Sequence, residues 1–218
     1  AFWRYGGHND VRGGGHFSGR RTACLCAAGA VCRQILLQRG VHIGGHVLSV
    51  GSSFDEAFPE VEIPSSLLDR LSREYFPVIR PDAETQMRAV IEEARMARNS
   101  VGGTVEIAVS GFPAGIGGPL FGRVEPVLSS ILFGIPAVKG IEFGSGFGAA
   151  RLRGSENNDP FVVENGTVRT TTNHCGGILG GITNGMPLTF RAAFKPTPSI
   201  AKEQQRVNLR TLTPEMLR

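Results

Sequence analysis

Residues Asn173 to Ile200 read N-H-C-G-G-I-L-G-G-I-T-N-G-M-P-L-T-F-R-A-A-F-K-P-T-P-S-I. Two Gly-Gly steps, Gly176-Gly177 and Gly180-Gly181, strip the Cβ atoms from short pieces of main chain, so that a ligand can approach the backbone closely. Leu188 to Phe194 then alternates as a strand does, and is read as the final strand of the chain. It delivers a cation and two hydroxyls to a loop, Lys195-Pro196-Thr197-Pro198-Ser199. Glycine-lined backbone followed by a cation and hydroxyls suits a phosphorylated, aromatic cofactor.

Outward from this stretch, strands and helices alternate. Val41 to Val50, Gly103 to Phe112 and Val138 to Phe143 have strand character, and Glu164-Asn165-Gly166 marks the turn of a hairpin between Phe161 and Thr171. Thr22 to about Gln38 carries Ala, Leu, Val and Ile at helical spacing and stops at Gly40, which predicts a largely buried helix. A second helix starts with Asp82 as its cap and presents Met87, Val90, Ile91 and Ala94 as one apolar stripe; a third covers Val124 to Phe133. The acidic, proline-punctuated residues between Asp55 and Pro81 read as a surface excursion. Alternation of this kind predicts a layered α/β or α+β fold. At 218 residues one domain with a sizeable core is expected.

Composition narrows the function. Hydrophobic content of 41% with 19% charged residues is that of a folded protein, not a disordered or fibrous one. A net charge of +4 and an isoelectric point near 9.2 are compatible with nucleic acid, but the basic residues are scattered and no basic-aromatic platform interleaves them. Nucleic acid is therefore not expected as a partner. The uneven part is the opening, where Arg4, Arg12, Arg20 and Arg21 face only Asp10, an arrangement attractive to a polyanionic small molecule. Cys24, Cys26, Cys32 and Cys175 form no Cys-x-x-Cys pair and are read as buried free thiols, which fits a reducing, cytoplasmic setting. No run approaches the roughly 18 apolar residues of a membrane span, so no membrane partner is expected.

Gly144-Ser145-Gly146-Phe147-Gly148-Ala149 matches a dinucleotide fingerprint after a strand, with Glu164 at a suitable distance. The motif needs a full helix immediately afterwards to aim its dipole at a pyrophosphate, and Gly154-Ser155-Glu156-Asn157-Asn158-Asp159-Pro160 interrupts it. It is read as a decoy. Gly13 to Thr22 places an imidazole, a hydroxyl and two guanidiniums ahead of a helix; an anion site and a glycine-rich turn with solvated arginines both fit it. His16 has no Ser or Cys partner in a triad-like context. On its own, Lys195 reads more readily as a strand-end surface charge than as a ligand contact.

Several separate segments, in order, resemble the chorismate synthase family. Tyr5-Gly6-Gly7-His8-Asn9-Asp10-Val11-Arg12-Gly13-Gly14-Gly15-His16-Phe17-Ser18-Gly19-Arg20 is similar to its glycine-rich loop, and Asn99-Ser100-Val101-Gly102-Gly103 to its Asp-Ser-Val-Gly-Gly turn. Gly111-Phe112-Pro113-Ala114-Gly115-Ile116-Gly117, Ile135-Pro136-Ala137-Val138-Lys139-Gly140 and the run from Gly144 through Asp159 follow the same template, as does the opening stretch. The resemblance implies a carbon–oxygen lyase of the shikimate pathway, removing phosphate and a C–H proton from 5-enolpyruvylshikimate 3-phosphate to give chorismate. It implies reduced FMN as cofactor, NADPH as one possible reductant, a cytoplasmic homotetramer, and a sandwich of antiparallel β-sheets and helices.

By the same resemblance Arg20 holds substrate anions, and His16, Phe17, Ser18, Pro136, Ala137, Gly180, Lys195, Pro196, Thr197, Pro198 and Ser199 line the FMN. Two departures qualify this. The family's usual Arg-Ser-Ser-Ala-Arg-Glu-Thr is here His16-Phe17-Ser18-Gly19-Arg20-Arg21-Thr22, which trades a cation for a titratable ring at His16. The segments that carry both catalytic histidines of the family are not among these residues. The expectation is a single domain over residues 1–218, incomplete at both ends, with no catalytic residue of its own and little activity as it stands. The alternative is a non-catalytic flavin- or phosphate-binding scaffold derived from that fold.

Overall fold

The computed structural model describes residues 1–9 and 14–217, so Asp10, Arg12 and Gly13 of the basic opening lie outside the described residues. In chain order it contains α1 (Thr22–Leu37), β1 (His42–Val50), β2 (Ser53–Phe54), α2 (Ser65–Leu71), α3 (Pro81–Met96), β3 (Gly103–Ser110), α4 (Val124–Leu132) and β4 (Val138–Phe143). There follow α5 (Gly154–Asn157), β5 (Phe161–Glu164), β6 (Thr167–Thr170), β7 (Ile178–Leu179), β8 (Ile182–Thr183), β9 (Leu188–Phe194), β10 (Gln204–Asn208) and β11 (Thr213–Leu217).

Five strands form one sheet in the order β2-β1-β3-β9-β4, and every pairing in it is antiparallel. With helices packed on it, this is the layered α+β class that the alternation predicts. The fingerprint-like glycines after β4 lead into a 3-10 turn, Gly146–Arg151, and not into a long helix. With neither a parallel crossover nor a helix dipole behind those glycines, the dinucleotide reading falls.

Alternation of side chains along each strand gives the sheet two different faces. One is apolar: Val41, Val109, Ile178 and Leu188 are buried together, with Leu36, Ile43, Phe112, Val124 and Phe143 packed around them. Against the other, Phe58, Ile63, Leu68 and Leu71 gather over Ala108. Gly44 of β1 lies where α2 crosses, and a Cβ there would sit 2.8 Å from the Leu68 backbone. Helix and strand therefore touch main chain to main chain. A third cluster, Val50, Val78, Ala83 and Met87, seats α3 beside β1.

The structure corrects several expectations. Residues 55–81 are no surface excursion: Phe58, Ile63, Leu68, Leu71 and Val78 are all buried, while Glu56, Pro59, Glu60, Glu62, Pro64 and Pro81, which disguised them, stay exposed. Helix α1, expected to be largely buried, has no buried residue. Only its C-terminal end docks, through Leu36 in the apolar cluster and through Arg33, whose guanidinium donates to the Ile43 carbonyl (3.3 Å) and to Ser72 Oγ (2.6 Å). Cys24, Cys26 and Cys32 are accordingly exposed, and Cys175 is half-buried. Helix α3 starts two residues early, with Arg80 as N-cap and Pro81 in the first turn, where its missing N–H costs nothing. Asp82 pairs with Arg80 (3.6 Å) and does not cap. Of its stripe, Met87 is buried, Val90 and Ala94 are half-buried and Ile91 is exposed. Finally, β9 is not the last strand, because β10 and β11 form a further hairpin after it.

Candidate functional site

The strand–loop transition at the end of β9 gathers three distant pieces of sequence. Val138 pairs with Phe194, and the next residue, Lys195, donates its N–H to the Ala137 carbonyl (2.9 Å). Ser100 Oγ donates to the Thr197 carbonyl (2.6 Å). Gly102 leaves room for this clasp, since a Cβ there would meet Phe194 O at 2.5 Å and Pro196 Cδ at 3.0 Å. Pro136, Ala137 and Lys195 through Ser199 are thus brought together, all exposed except the half-buried Ala137. Ala137 has φ +75°, a left-handed conformation that costs a non-glycine residue on the order of 1–3 kcal/mol and is typical of ligand clamps.

The remaining sequence candidates lie in two other places. His16, Phe17, Ser18 and Arg20 form two 3-10 turns running into α1. Ser18 Oγ accepts from Arg20 N (3.3 Å), and Thr22 Oγ1 donates to the Gly19 carbonyl (2.7 Å). Arg21 Nη1 lies 2.6 Å from His16 Nδ1; a guanidinium has only donors, so Nδ1 is the acceptor. His16 is therefore tethered to its neighbouring cation. Gly180 occupies the β7–β8 turn at φ +61°, exposed, with open space where a Cβ would be. Among the described residues no hydrogen bond joins either group to the clasp.

A feature that sequence reading missed runs across the other face of the sheet. His46, Glu106, Arg191 and Glu142 occupy successive cross-strand positions on β1, β3, β9 and β4. His46 Nδ1 lies 3.0 Å from Asp55 Oδ2 and its Nε2 3.0 Å from Glu106 Oε2, with the ring fully buried. Asp55 also accepts the backbone N–H groups of Ile79 and Arg80, and Glu106 Oε2 accepts that of Phe58 (2.7 Å). A carboxyl group thus flanks each ring nitrogen, and the imidazole ties β1 to both Asp55 and β3. Arg191 donates from Nε to Glu106 Oε1 (2.8 Å) and from Nη1 to Glu142 Oε1 (3.3 Å). Burial by itself would raise the Glu106 carboxyl, but the hydrogen bonds from His46, Phe58 and Arg191 outweigh it and hold the group below the usual carboxylate range. The signal was present in the sequence as titratable residues inside otherwise apolar strands, single in β3 (Glu106) and β9 (Arg191) and joined by His42 in β1 and Lys139 in β4.

The glycine-rich turn is secured by side chains rather than by packing alone. Asn173 Nδ2 donates to the carbonyls of Glu60 (3.0 Å) and Pro187 (2.9 Å), and its Oδ1 accepts from Gly177 N (2.7 Å). Asp159 accepts from the backbone of His174 and Cys175 and from Thr172 Oγ1. Burial and then the adjacent Asp159 carboxylate push the Cys175 thiol up to about 11, which makes it an inert packing group and not a nucleophile.

Beside the clasp, a cavity of about 210 Å³ opens on the polar face, lined by Thr104, Gly140, Ala193, Glu142, Arg191 and Phe147. Lys195 follows Ala193 by two positions, about 7 Å further along the strand direction. A flat ring resting on small residues, with a phosphate group toward Lys195 and its neighbouring hydroxyls, fits this arrangement.

The family model for chorismate synthase matches residues 1–218. The chain is 47% identical over 214 residues to a protein named chorismate synthase from Dehalococcoides mccartyi strain BAV1, covering 97% of this chain and 57% of that protein. It is 47% identical over 215 residues to one of the same name from Thermococcus gammatolerans, covering 99% and 58%. A solved structure titled "Crystal Structure of Chorismate Synthase" superposes with a TM-score of 0.75 at 32% identity, covering 82% of this chain and 56% of that one. The chain thus spans a little over half the length of the relatives it matches.

Proposed function

The chain belongs to the chorismate synthase family, and from that premise we propose that the polypeptide it represents converts 5-enolpyruvylshikimate 3-phosphate to chorismate with reduced FMN bound. The reaction is a 1,4-elimination: the allylic C–O bond to phosphate breaks, a C–H proton leaves, and a new double bond forms with no net redox change. The observation that carries the reading is the clasp of Lys195 on Ala137 and of Ser100 on Thr197, which puts a cation, hydroxyls and a strained main-chain turn beside an open cavity.

The donor set fits the cofactor. Lys195, Thr197 and Ser199 are exposed and supply a charge and hydroxyls to a phosphorylated side chain, while Gly140, Ala193 and Thr104 leave a low floor for a ring. When bound, reduced FMN supplies an electron-rich ring next to the substrate. Arg20, exposed beside the start of α1, is assigned to the substrate's anionic groups, where a guanidinium binds the departing phosphate more strongly as its charge develops. His16, held to Arg21, fixes the shape of that loop. The groups that move the proton are assigned to the rest of the polypeptide, so this chain binds and orients.

Anaerobic titration tests the proposal. FMN is expected to bind this chain with a change in flavin absorbance, and chorismate is expected only from the complete polypeptide. There, Arg20→Ala should lower turnover about 30-fold, the loss of a charge-assisted contact of about 2 kcal/mol. Absence of flavin binding, or unchanged turnover in Arg20→Ala, would count against it.

A further inference from the structure

The polar row ends at the cavity with two unused hydrogen-bonding positions side by side. Arg191 spends Nε on Glu106 and Nη1 on Glu142, and its Nη2 has no partner among the described residues. Glu142 Oε1 accepts from Arg191, and Oε2 accepts the backbone N–H of Phe147 (3.2 Å). An ionised carboxylate offers about four lone-pair sites, so each oxygen retains room for one more donor. Arg191 and Glu142 are each a little under one-third exposed, and both line the cavity with Thr104, Gly140, Ala193 and Phe147. Above Gly140 there is space, since a Cβ there would meet only the Ala193 Cβ, at 3.5 Å.

Charge decides which part of a ligand belongs here. The row sets three carboxylates, Asp55, Glu106 and Glu142, against the guanidiniums of Arg191 and Arg80 and the His46 ring between Asp55 and Glu106, so it holds no excess of positive charge. A phosphate is disfavoured at this end, and the cation of Lys195 draws it to the other. What remains is an uncharged, flat edge that offers a donor next to an acceptor. We infer that Glu142 and Arg191 bind the pyrimidine edge of the flavin ring, Glu142 accepting from its N3–H and Arg191 Nη2 donating to a flanking carbonyl oxygen. His46 and Asp55 act behind them: by holding Glu106, they fix the guanidinium that Glu106 shares with Glu142. The inference rests on the flavin reading given above.

The test changes the ligand rather than the protein. FMN and N3-methyl-FMN are titrated into the wild-type chain and into Glu142→Ala, with flavin fluorescence as the readout. Methylation removes the N3 donor, so N3-methyl-FMN should bind the wild type about tenfold more weakly than FMN, as expected for losing a hydrogen bond to a charged group. In Glu142→Ala the two ligands should bind alike. Equal affinity of the two for the wild type would overturn the assignment and leave the flavin reading standing, and so would an undiminished penalty in Glu142→Ala. Failure of FMN itself to bind would overturn both. Because the wild-type comparison needs no substitution, poor folding of the variant cannot mask the result.

Discussion

Over the two faces of the central sheet lie a polar row that is enclosed and an apolar helix that stands largely exposed. On one face His46, Asp55 and Glu106 are almost completely enclosed. On the other, the apolar helix α1 leaves Leu25, Val31 and Ile35 about half exposed, beside an apolar recess of about 450 Å³ lined by Leu36, Val41, Ile43, Val127 and Phe190. Burial here follows connectivity rather than hydrophobicity. The polar row is covered because residues 55–80 fold back onto it, and each charge finds its partners within 3.3 Å. Helix α1 is tied down only at its last turns.

The contrast can be broken most severely at Glu106. Glu106→Ala leaves His46 and Arg191 without their shared carboxylate, and breaking a buried charge pair from one side costs about 3–5 kcal/mol. Urea unfolding should show a midpoint shift of that size. The same residue sets a pH dependence. Its folded-state pKa lies below the unfolded one, so its contribution is complete above the ordinary carboxylate range and is lost as pH falls through the folded value. In Glu106→Gln the acid side of the stability profile should flatten, and an unchanged profile would remove Glu106 as its source.

A smaller loss is expected at Gly44. A Cβ there presses on the Leu68 backbone at 2.8 Å, and overpacking of this kind costs about 1–3 kcal/mol. Thermal melting of Gly44→Ala should drop accordingly, and an undisturbed melt would mean that α2 shifts freely and does not clamp the polar face. The smallest effect belongs to α1. Leu25→Gln should change stability of this chain by less than about 0.5 kcal/mol, as for an ordinary surface position. A large loss would show that α1 is packed after all and would erase the contrast between the faces.

Much of this architecture is legible in local patterns. The bounds of β4 and β9 and the Asn165-Gly166 turn can be read directly, because alternation and turn chemistry depend on neighbouring residues. So can the decoy nature of the glycines after β4, since a helix is either present in the next residues or not. For the candidate site, the Lys195 loop and Ala137 were recognisable from motif resemblance, yet nothing in either segment announces that Lys195 N–H bonds to the Ala137 carbonyl. The row from His46 to Glu142 was legible only as four unexplained polar residues in apolar strands.

The sequence alone determined the principal strands β1, β3, β4 and β9, the helices α1, α3 and α4, the α+β class and the resemblance that named the flavin candidates, since all of these reside in short stretches of residue order. Tertiary structure decided which charges share a row, that residues 55–80 belong to the core, and that α1 stands exposed. The row depends on antiparallel register between strands as far apart in the chain as β3 and β9. A shift of one residue in register would send each of these side chains to the opposite face, and local sequence carries no record of that choice.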